Sequence, residues 1–251
     1  MIRIILHGCN GVMGQNVVKS AAADPDVGIV AGIDIVTDRK NDFPVYKSLT
    51  ECTEDADIVV DFAAAPAMDG LIAALKEKKL PVVMCTTGLS EAQLSEVEEL
   101  SHQIAVLRSA NMSLGINTLT KVLKQITPVL AAAGFDMEIM EMHHNRKVDA
   151  PSGTALALAQ TMNESLDNSY DFKLDRSGER KKRGKREIGI QALRGGTVPG
   201  VHEVYFAGKD EVIKLSHTCY SRAVFAEGAL AAAKFLVGKP AGMYDMQDVI
   251  G

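Results

Sequence analysis

Leu6-His7-Gly8-Cys9-Asn10-Gly11-Val12-Met13-Gly14 is the stretch that decides the fold. Its glycines stand at G-x-x-G-x-x-G spacing. The aliphatic run Ile2–Leu6 before it reads as a buried strand. Met13–Ala23 after it reads as a helix with Val17, Val18 and Ala21 on one face. Small residues at such a junction let the backbone approach a pyrophosphate, and the helix N-terminus adds unpaired N–H groups and a favourable dipole. A second apolar run, Gly28–Asp34, ends in a carboxylate twenty positions beyond Gly14. A carboxylate there can accept hydrogen bonds from an adenosine ribose. A bare strand-to-helix turn would also hold glycines, with Asp34 as a strand-end cap. The succession of strand, turn, helix, strand and acid favours the dinucleotide reading.

Asp34 also bears on the choice of cofactor. A carboxylate repels the 2′-phosphate of NADP and accepts the free hydroxyl of NAD. Ile35 adds no positive charge, whereas Arg39 and Lys40 stand close enough in sequence to meet a phosphate. NAD(H) is the expected cofactor, with NADP(H) as the second candidate.

Working outward, Asp57–Phe62, Pro81–Cys85 and Ile104–Leu107 read as further strands, with helices at Ala67–Lys78 and Ser90–Ser101 between them. Continuous apolar strands separated by helices predict a parallel sheet covered on both faces. Cys85-Thr86-Thr87-Gly88 and Ser109-Ala110-Asn111-Met112 follow two of these strands. Ligands of open α/β sheets bind beyond the carboxyl ends of strands, although either loop alone reads as readily as an ordinary turn.

The pattern then changes. A long helix is expected over Ser113–Gly134, carrying Pro128, then a strand at Phe135–Met142 and a helix at Ser152–Leu166. The charged segment 167–185 reads as a long mobile loop. Glu187–Leu193, Val201–Ala207 and Glu211–His217 are closely spaced strands, and Ser221–Val237 is a final helix. The fold class is therefore α/β: a Rossmann-type parallel-sheet domain, plus a smaller α+β domain with a mixed sheet. Residues 1–112 with 222–251 form the expected dinucleotide-binding domain, and 113–221 the substrate-binding and oligomerisation domain.

The totals narrow the class further. The chain has 251 residues, a net charge of −5 and four cysteines without a Cys-x-x-Cys pair. That speaks against a zinc ribbon, a disulfide scaffold and a global attraction to nucleic acid. No apolar run approaches the roughly 20 residues of a membrane span. The expectation is a soluble cytoplasmic protein without a signal peptide, and with no nucleic-acid or membrane partner.

Glu141-Met142-His143-His144-Asn145-Arg146-Lys147-Val148-Asp149-Ala150-Pro151-Ser152-Gly153-Thr154-Ala155 is the densest chemical stretch. Consecutive side chains at a strand end point oppositely, so His143 and His144 are expected to do different jobs. A histidine with a pKa of roughly 6.5 can give or take a proton near neutrality. Lys147 adds a positive charge, and Ser152-Gly153-Thr154 opens a helix whose N–H groups can hold an anion. Such a set suits a substrate bearing carboxylates. The alternatives are a solvated basic loop with a capped helix, or a metal site. Two adjacent histidines without a Cys or carboxylate cluster do not make a zinc ligand set, so no metal is expected.

The runs GCNGVMG, SANMSLGIN and EMHHNRKVDAPSGTA, with RGGTVPGVHEV and SHTCYSRAVFAEGALAAAKFL further on, resemble the dihydrodipicolinate (4-hydroxy-tetrahydrodipicolinate) reductase family over nearly the whole chain. The HHxxKxDAPSGTA string is specific to it. The resemblance implies a reductase of the diaminopimelate–lysine pathway, using NADH or NADPH on a small cyclic dicarboxylate, and usually a homotetramer. It implies His143 as proton donor, Lys147 as second catalytic residue, and His144, Gly153 and Thr154 as substrate contacts. Its cofactor contacts fall on Gly8, Cys9, Asn10, Gly11, Val12, Met13, Asp34, Cys85, Thr86, Thr87, Ser109, Ala110, Asn111 and Met112. Cys85 stands where many members have glycine, and Ile35 where a basic residue often follows the acid; the second departure speaks against a strong NADP preference.

Two other readings compete. An NAD-binding redox sensor would need a nucleic-acid face, and the one basic run, 176–186, reads better as a solvated loop, without an aromatic for stacking. A dehydrogenase for another keto acid or semialdehyde gives the His-His-x-x-Lys string no role.

Overall fold

Aliphatic runs become the central strands. In the computed structural model, which describes residues 1–251, the chain opens with β1 (Ile2–His7), α1 (Val12–Ala22), β2 (Val27–Ile33), β3 (Val45–Tyr46) and β4 (Ile58–Asp61). There follow α2 (Met68–Lys78), β5 (Val82–Met84), α3 (Glu91–Ser101) and β6 (Ala105–Arg108). The middle of the chain forms α4 (Leu114–Ala132), β7 (Asp136–His143), α5 (Gly153–Glu164), β8 (Asp171–Lys173), β9 (Glu187–Arg194), β10 (Gly200–Ala207) and β11 (Val212–Cys219). It closes with α6 (Ala223–Leu236), β12 (Gly242–Tyr244) and α7 (Met246–Ile250). There are two compact units: Met1–Leu114 with Arg222–Gly251, and Gly115–Ser221.

The first unit holds a seven-stranded sheet in the order β12-β6-β5-β4-β1-β2-β3. Every pairing in it is parallel. Alternate residues of β1 enter opposite cores. Ile4 and Leu6 pack with Val17 and Ala21 of α1 and with Ala226, Ala229 and Leu230 of α6. Ile5 packs with Leu71, Ile72 and Leu75 of α2 and with Val97 and Leu100 of α3. Burial on both faces is why these strands read as uninterrupted aliphatic runs rather than alternating ones. The strand order reverses direction between β1 and β4, and a doubly wound sheet opens its ligand crevice beyond the carboxyl ends of such a pair.

The second unit holds a five-stranded sheet in the order β11-β10-β7-β9-β8. It is mixed: β10 runs antiparallel to β7 and β11, while β7, β9 and β8 are parallel. On β7 the buried positions are Met137, Ile139, Glu141 and His143, a period of two. Met137 and Ile139 join Leu119 and Leu123 of α4, Leu158 and Met162 of α5, and Val204 and Phe206 of β10 in one core. Glu141 and His143 continue that same face toward the strand end.

The sequence reading departs from the fold in small elements. The stretch 167–185, expected as loop throughout, contains β8, paired parallel to β9. A three-residue strand shows no hydrophobic period, and half of its identity lies in its partner. β3 and β12 are illegible for the same reason, and α7, at five residues, is too short to show a helical period. Within the basic run, Arg176 pairs with Glu187 at 2.7 Å and Arg183 with Asp136 at 2.7 Å. Two of its cations are thus engaged in fastening the segment to the sheet. No helix is long and apolar enough to cross a membrane.

Candidate active site

The glycine turn follows β1 directly. Gly8 has φ +76°, and a Cβ there would lie 2.7 Å from the Phe62 carbonyl oxygen that follows β4. A Cβ on Gly14 would lie 2.2 Å from the Gly8 carbonyl oxygen. The turn therefore closes against its own backbone, and only glycine allows it. Gly11 caps α1 without a side-chain hydrogen bond. The first-turn N–H groups of α1 are thus left for an external acceptor, which fits a pyrophosphate.

Asp34 stands just beyond β2 with its carboxylate beside this turn. It accepts from the Asn10 N–H at 2.8 Å and from the Val36 N–H at 3.0 Å. Both bonds fix its position, and a carboxylate has lone pairs beyond them for ribose hydroxyls. Arg39 reaches the Asn10 carbonyl oxygen at 3.4 Å, so a cation does stand at the edge of this site. Val12 is exposed, while Cys9 is fully buried. Cys9 can meet a ligand only through its backbone; burial first, and Asp34 second, push its thiol up to about 11.

Met13, Cys85, Thr87, Ser109, Ala110, Asn111 and Met112 line one cleft of about 320 Å³ in the first unit. Seven sequence-nominated residues thus meet at the carboxyl ends of the parallel strands. Phe62 and Phe225 complete the lining. Sequence reading missed both. Phe62 carried a signal, since it follows the last residue of β4 at the switch point; Phe225, in α6, carried none. Thr86 is buried and donates to the Ala63 carbonyl oxygen at 3.0 Å. Its side chain therefore ties the loop down rather than facing the cleft.

The second unit assembles the other constellation by strand register. On β7, His143 sits opposite Arg194 of β9, and Glu141 opposite His202 of β10. His143 Nδ1 lies 2.6 Å from Glu141 Oε2. Arg194 holds both oxygens of the same carboxylate at 2.8 Å. The Ser152 N–H donates to Oε1 at 3.0 Å. Burial alone would raise the Glu141 carboxyl, but the Arg194, His143 and Ser152 hydrogen bonds outweigh it and hold Glu141 below the usual carboxylate range. The His202 ring stands edge-on to His143 with centroids 5.1 Å apart. Burial, and then the neighbouring His143, lower His202 to about 4, so it is a neutral partner at pH 7. Neither Glu141, Arg194 nor His202 was nominated from sequence. Glu141 had a usable signal, its i, i+2 spacing to His143 on a strand.

Beyond β7, the His144 N–H donates to the Val198 carbonyl oxygen at 2.8 Å. Lys147 pairs with Asp149 at 2.8 Å. The Ala150–Pro151 peptide is cis. Ser152 then caps α5, its hydroxyl accepting from the Ala155 N–H at 3.2 Å. Gly153 and Thr154 are the first residues of that helix. The Asp149 carboxyl is held below its ordinary range by Lys147 first, with the Gly153 N–H also contributing. Lys147 and the opening of α5 thus both favour the charged form of this one carboxylate.

Two family models match the chain, described as dihydrodipicolinate reductase, N-terminus, over residues 2–112, and dihydrodipicolinate reductase, C-terminus, over residues 115–250. A protein of Caldanaerobacter subterraneus subsp. tengcongensis named 4-hydroxy-tetrahydrodipicolinate reductase is 50% identical over 250 residues, covering 100% of this chain and 98% of its own. One of the same name from Clostridium novyi is 48% identical over 250 residues, again covering 100% and 98%. Among solved structures, a dipicolinate-bound dihydrodipicolinate reductase from Paenisporosarcina sp. TG-14 superposes with a TM-score of 0.81 at 24% identity, covering 100% of both chains. At that identity it speaks for the fold.

Proposed function

The chain belongs to the dihydrodipicolinate reductase family, and on that premise we propose that it reduces 4-hydroxy-tetrahydrodipicolinate to tetrahydrodipicolinate with NADH or NADPH, in diaminopimelate and lysine biosynthesis. The observation that carries this reading is the His143 ring, buried at the end of β7 and fastened through Nδ1, with Lys147 and the N-terminus of α5 following in the same unit. A buried titratable ring in the same unit as cationic and helix-terminus groups supports the reading of a proton donor for a dicarboxylate.

The first unit holds the cofactor: the turn Gly8–Met13 takes the pyrophosphate, Asp34 the ribose, and the loops at Cys85–Thr87 and Ser109–Met112 the remainder. When bound, the nicotinamide supplies a hydride to an electron-poor carbon of the cyclic imine, with water lost overall if the hydroxylated form enters. His143 protonates the enamine carbon that hydride addition leaves. Lys147 is the second catalytic residue, stabilising negative charge and supporting that proton transfer. Gly153 and Thr154 bind one substrate carboxylate through the first turn of α5, in competition with Asp149, and His144 binds the substrate alongside. General acid work of this kind contributes about 100- to 10,000-fold.

Freshly generated substrate and each cofactor in turn give the direct test. The reading requires substrate-dependent oxidation of NADH or NADPH, and it fails if neither is consumed. Asp34 makes a sharper point. Asp34→Asn removes the charge that repels a 2′-phosphate. It should move the ratio of kcat/KM values toward NADPH by about tenfold, or roughly 1.4 kcal/mol. An unchanged ratio would mean that Asp34 does not discriminate between the cofactors.

We also read the protein as a cytoplasmic homotetramer. Its four cysteines are unpaired, which suits a reducing compartment. Leu193 and Val212 are exposed on the second sheet, and apolar residues on an open sheet face suit burial against further copies. Light scattering at the mass of four chains is the result this assembly requires.

A further inference from the structure

We propose that Glu141, clamped by Arg194, is the positioning residue for His143: it fixes hydrogen on Nδ1, so that Nε2 is the nitrogen that exchanges a proton with substrate. The inference rests on the reading of His143 as the acid.

The physical case begins with a carboxylate that is completely buried, at 0% exposure, on the strand face that also buries Met137, Ile139 and His143. A buried charge of that kind persists only when it is paired and hydrogen-bonded. Glu141 has four such bonds. Two come from the planar fork of Arg194 at 2.8 Å each, one from the Ser152 N–H at 3.0 Å, and one involves His143 Nδ1 at 2.6 Å. The Arg194 fork and the Ser152 amide hold the group as an ionised acceptor. An ionised carboxylate has no hydrogen to give. The short contact to Nδ1 therefore requires the hydrogen to sit on Nδ1. In the neutral ring, Nε2 is then the bare nitrogen; in the charged ring, Nε2–H is the bond free to break.

The proton step follows. As the N–H bond at Nε2 breaks, a C–H bond forms at the enamine carbon using its carbon–carbon π pair. The imidazole is left neutral with Nδ1–H still on Glu141, and solvent restores the lost proton. The opposite tautomer would place the ring's lone pair against the carboxylate and is excluded by repulsion.

The surroundings of Nε2 agree. A Cβ on Gly200 would lie 3.0 Å from it, so the absence of a side chain there leaves the nitrogen uncrowded. His202, held neutral, donates or accepts at Ser152 Oγ across 3.1 Å and adds no competing charge. Arg194 has a further task. Its Nη2 donates to the Asp149 carbonyl oxygen at 2.6 Å. One guanidinium thus links the base of the acid to the segment that carries Lys147 and to the start of α5. Positioning groups of this kind orient a histidine tautomer and can be worth orders of magnitude in turnover.

The test reads the tautomer and the kinetics separately. Two-bond proton–nitrogen spectra of protein labelled in its six histidines, assigned by single substitutions, should show neutral His143 hydrogen-bearing at Nδ1. An Nε2–H tautomer in the native enzyme would overturn the proposal whatever the variants do. Glu141→Gln should lose the single tautomer and lower kcat by about 100-fold, with KM and NADH affinity within about threefold. Glu141→Asp, which keeps the acceptor, should retain the Nδ1–H signal and recover part of the lost kcat. A Glu141→Gln enzyme with native kcat, beside a His143→Ala enzyme that has lost turnover, would overturn this inference alone. A His143→Ala enzyme with native kcat would overturn the proton-donor reading itself, and with it the catalytic half of this proposal. If Glu141→Gln does not fold, the native spectrum and Glu141→Asp decide.

Discussion

His143→Gln should lower kcat by about 1000-fold while leaving the affinity for NADH within about twofold. Glutamine approximates the reach of the ring and can still meet Glu141, so the side chain is replaced without opening a large void at a position only 8% exposed. What it cannot do is deliver a proton. If the enamine carbon depends on His143, the loss falls within the range of about 100- to 10,000-fold that positioned acids supply. The groups assigned to the cofactor, from Gly8 to Met112, belong to the other compact unit, so calorimetric titration with NADH should be blind to the change. Lys147→Ala added to it should deepen the loss by less than its separate effect, because two groups serving one proton transfer do not contribute independently. A His143→Gln enzyme within tenfold of native kcat would remove His143 from the chemistry.

The sequence exposes this site unevenly, and the reasons are physical. A glycine turn is legible because close backbone approach forbids a Cβ, so the constraint is written in residue type at fixed spacing. Strands buried on both faces are legible because each position is apolar. His143, Lys147 and Gly153 stand out because reactive or permissive residues cluster in a short run. Arg194 and His202 do not. They join the site through strand register, as the partners opposite His143 and Glu141, and register across a mixed sheet is a tertiary outcome with no local mark. Phe225 enters the first unit's cleft from a helix more than a hundred residues beyond the other lining groups, and its own neighbours in sequence say only that the helix is amphipathic. The stretch 167–185 fails in the opposite sense. Charge there suggests solvent, but Arg176 and Arg183 are engaged by the sheet, on Glu138, Glu187 and Asp136.

Gly14→Ala should abolish measurable NADH binding, weakening it by at least about 100-fold, and cost about 2–4 kcal/mol of stability. The added methyl would sit 2.2 Å from the Gly8 carbonyl oxygen, 2.6 Å from that of Cys9 and 2.7 Å from the Cys9 carbonyl carbon. All three are backbone atoms, so no side chain can rotate away. Relief requires α1 to withdraw from the turn or the turn to open. Either movement disturbs the Gly11 N–H bond to the Gly8 carbonyl oxygen at 3.2 Å and the Asn10 N–H bond that seats Asp34 at 2.8 Å. Pyrophosphate and ribose contacts would be lost together, which is why the expected effect on binding exceeds that of any single contact. Gly70 provides the contrast. It lies in α2 with nothing within 4 Å of its would-be Cβ, and alanine there should be neutral or should stabilise the helix by about 0.5–1 kcal/mol. Urea denaturation and NADH titration of the two variants separate a glycine that only frees the chain from one that makes room for the cofactor. Native NADH affinity in Gly14→Ala would show that the turn is not where the dinucleotide binds.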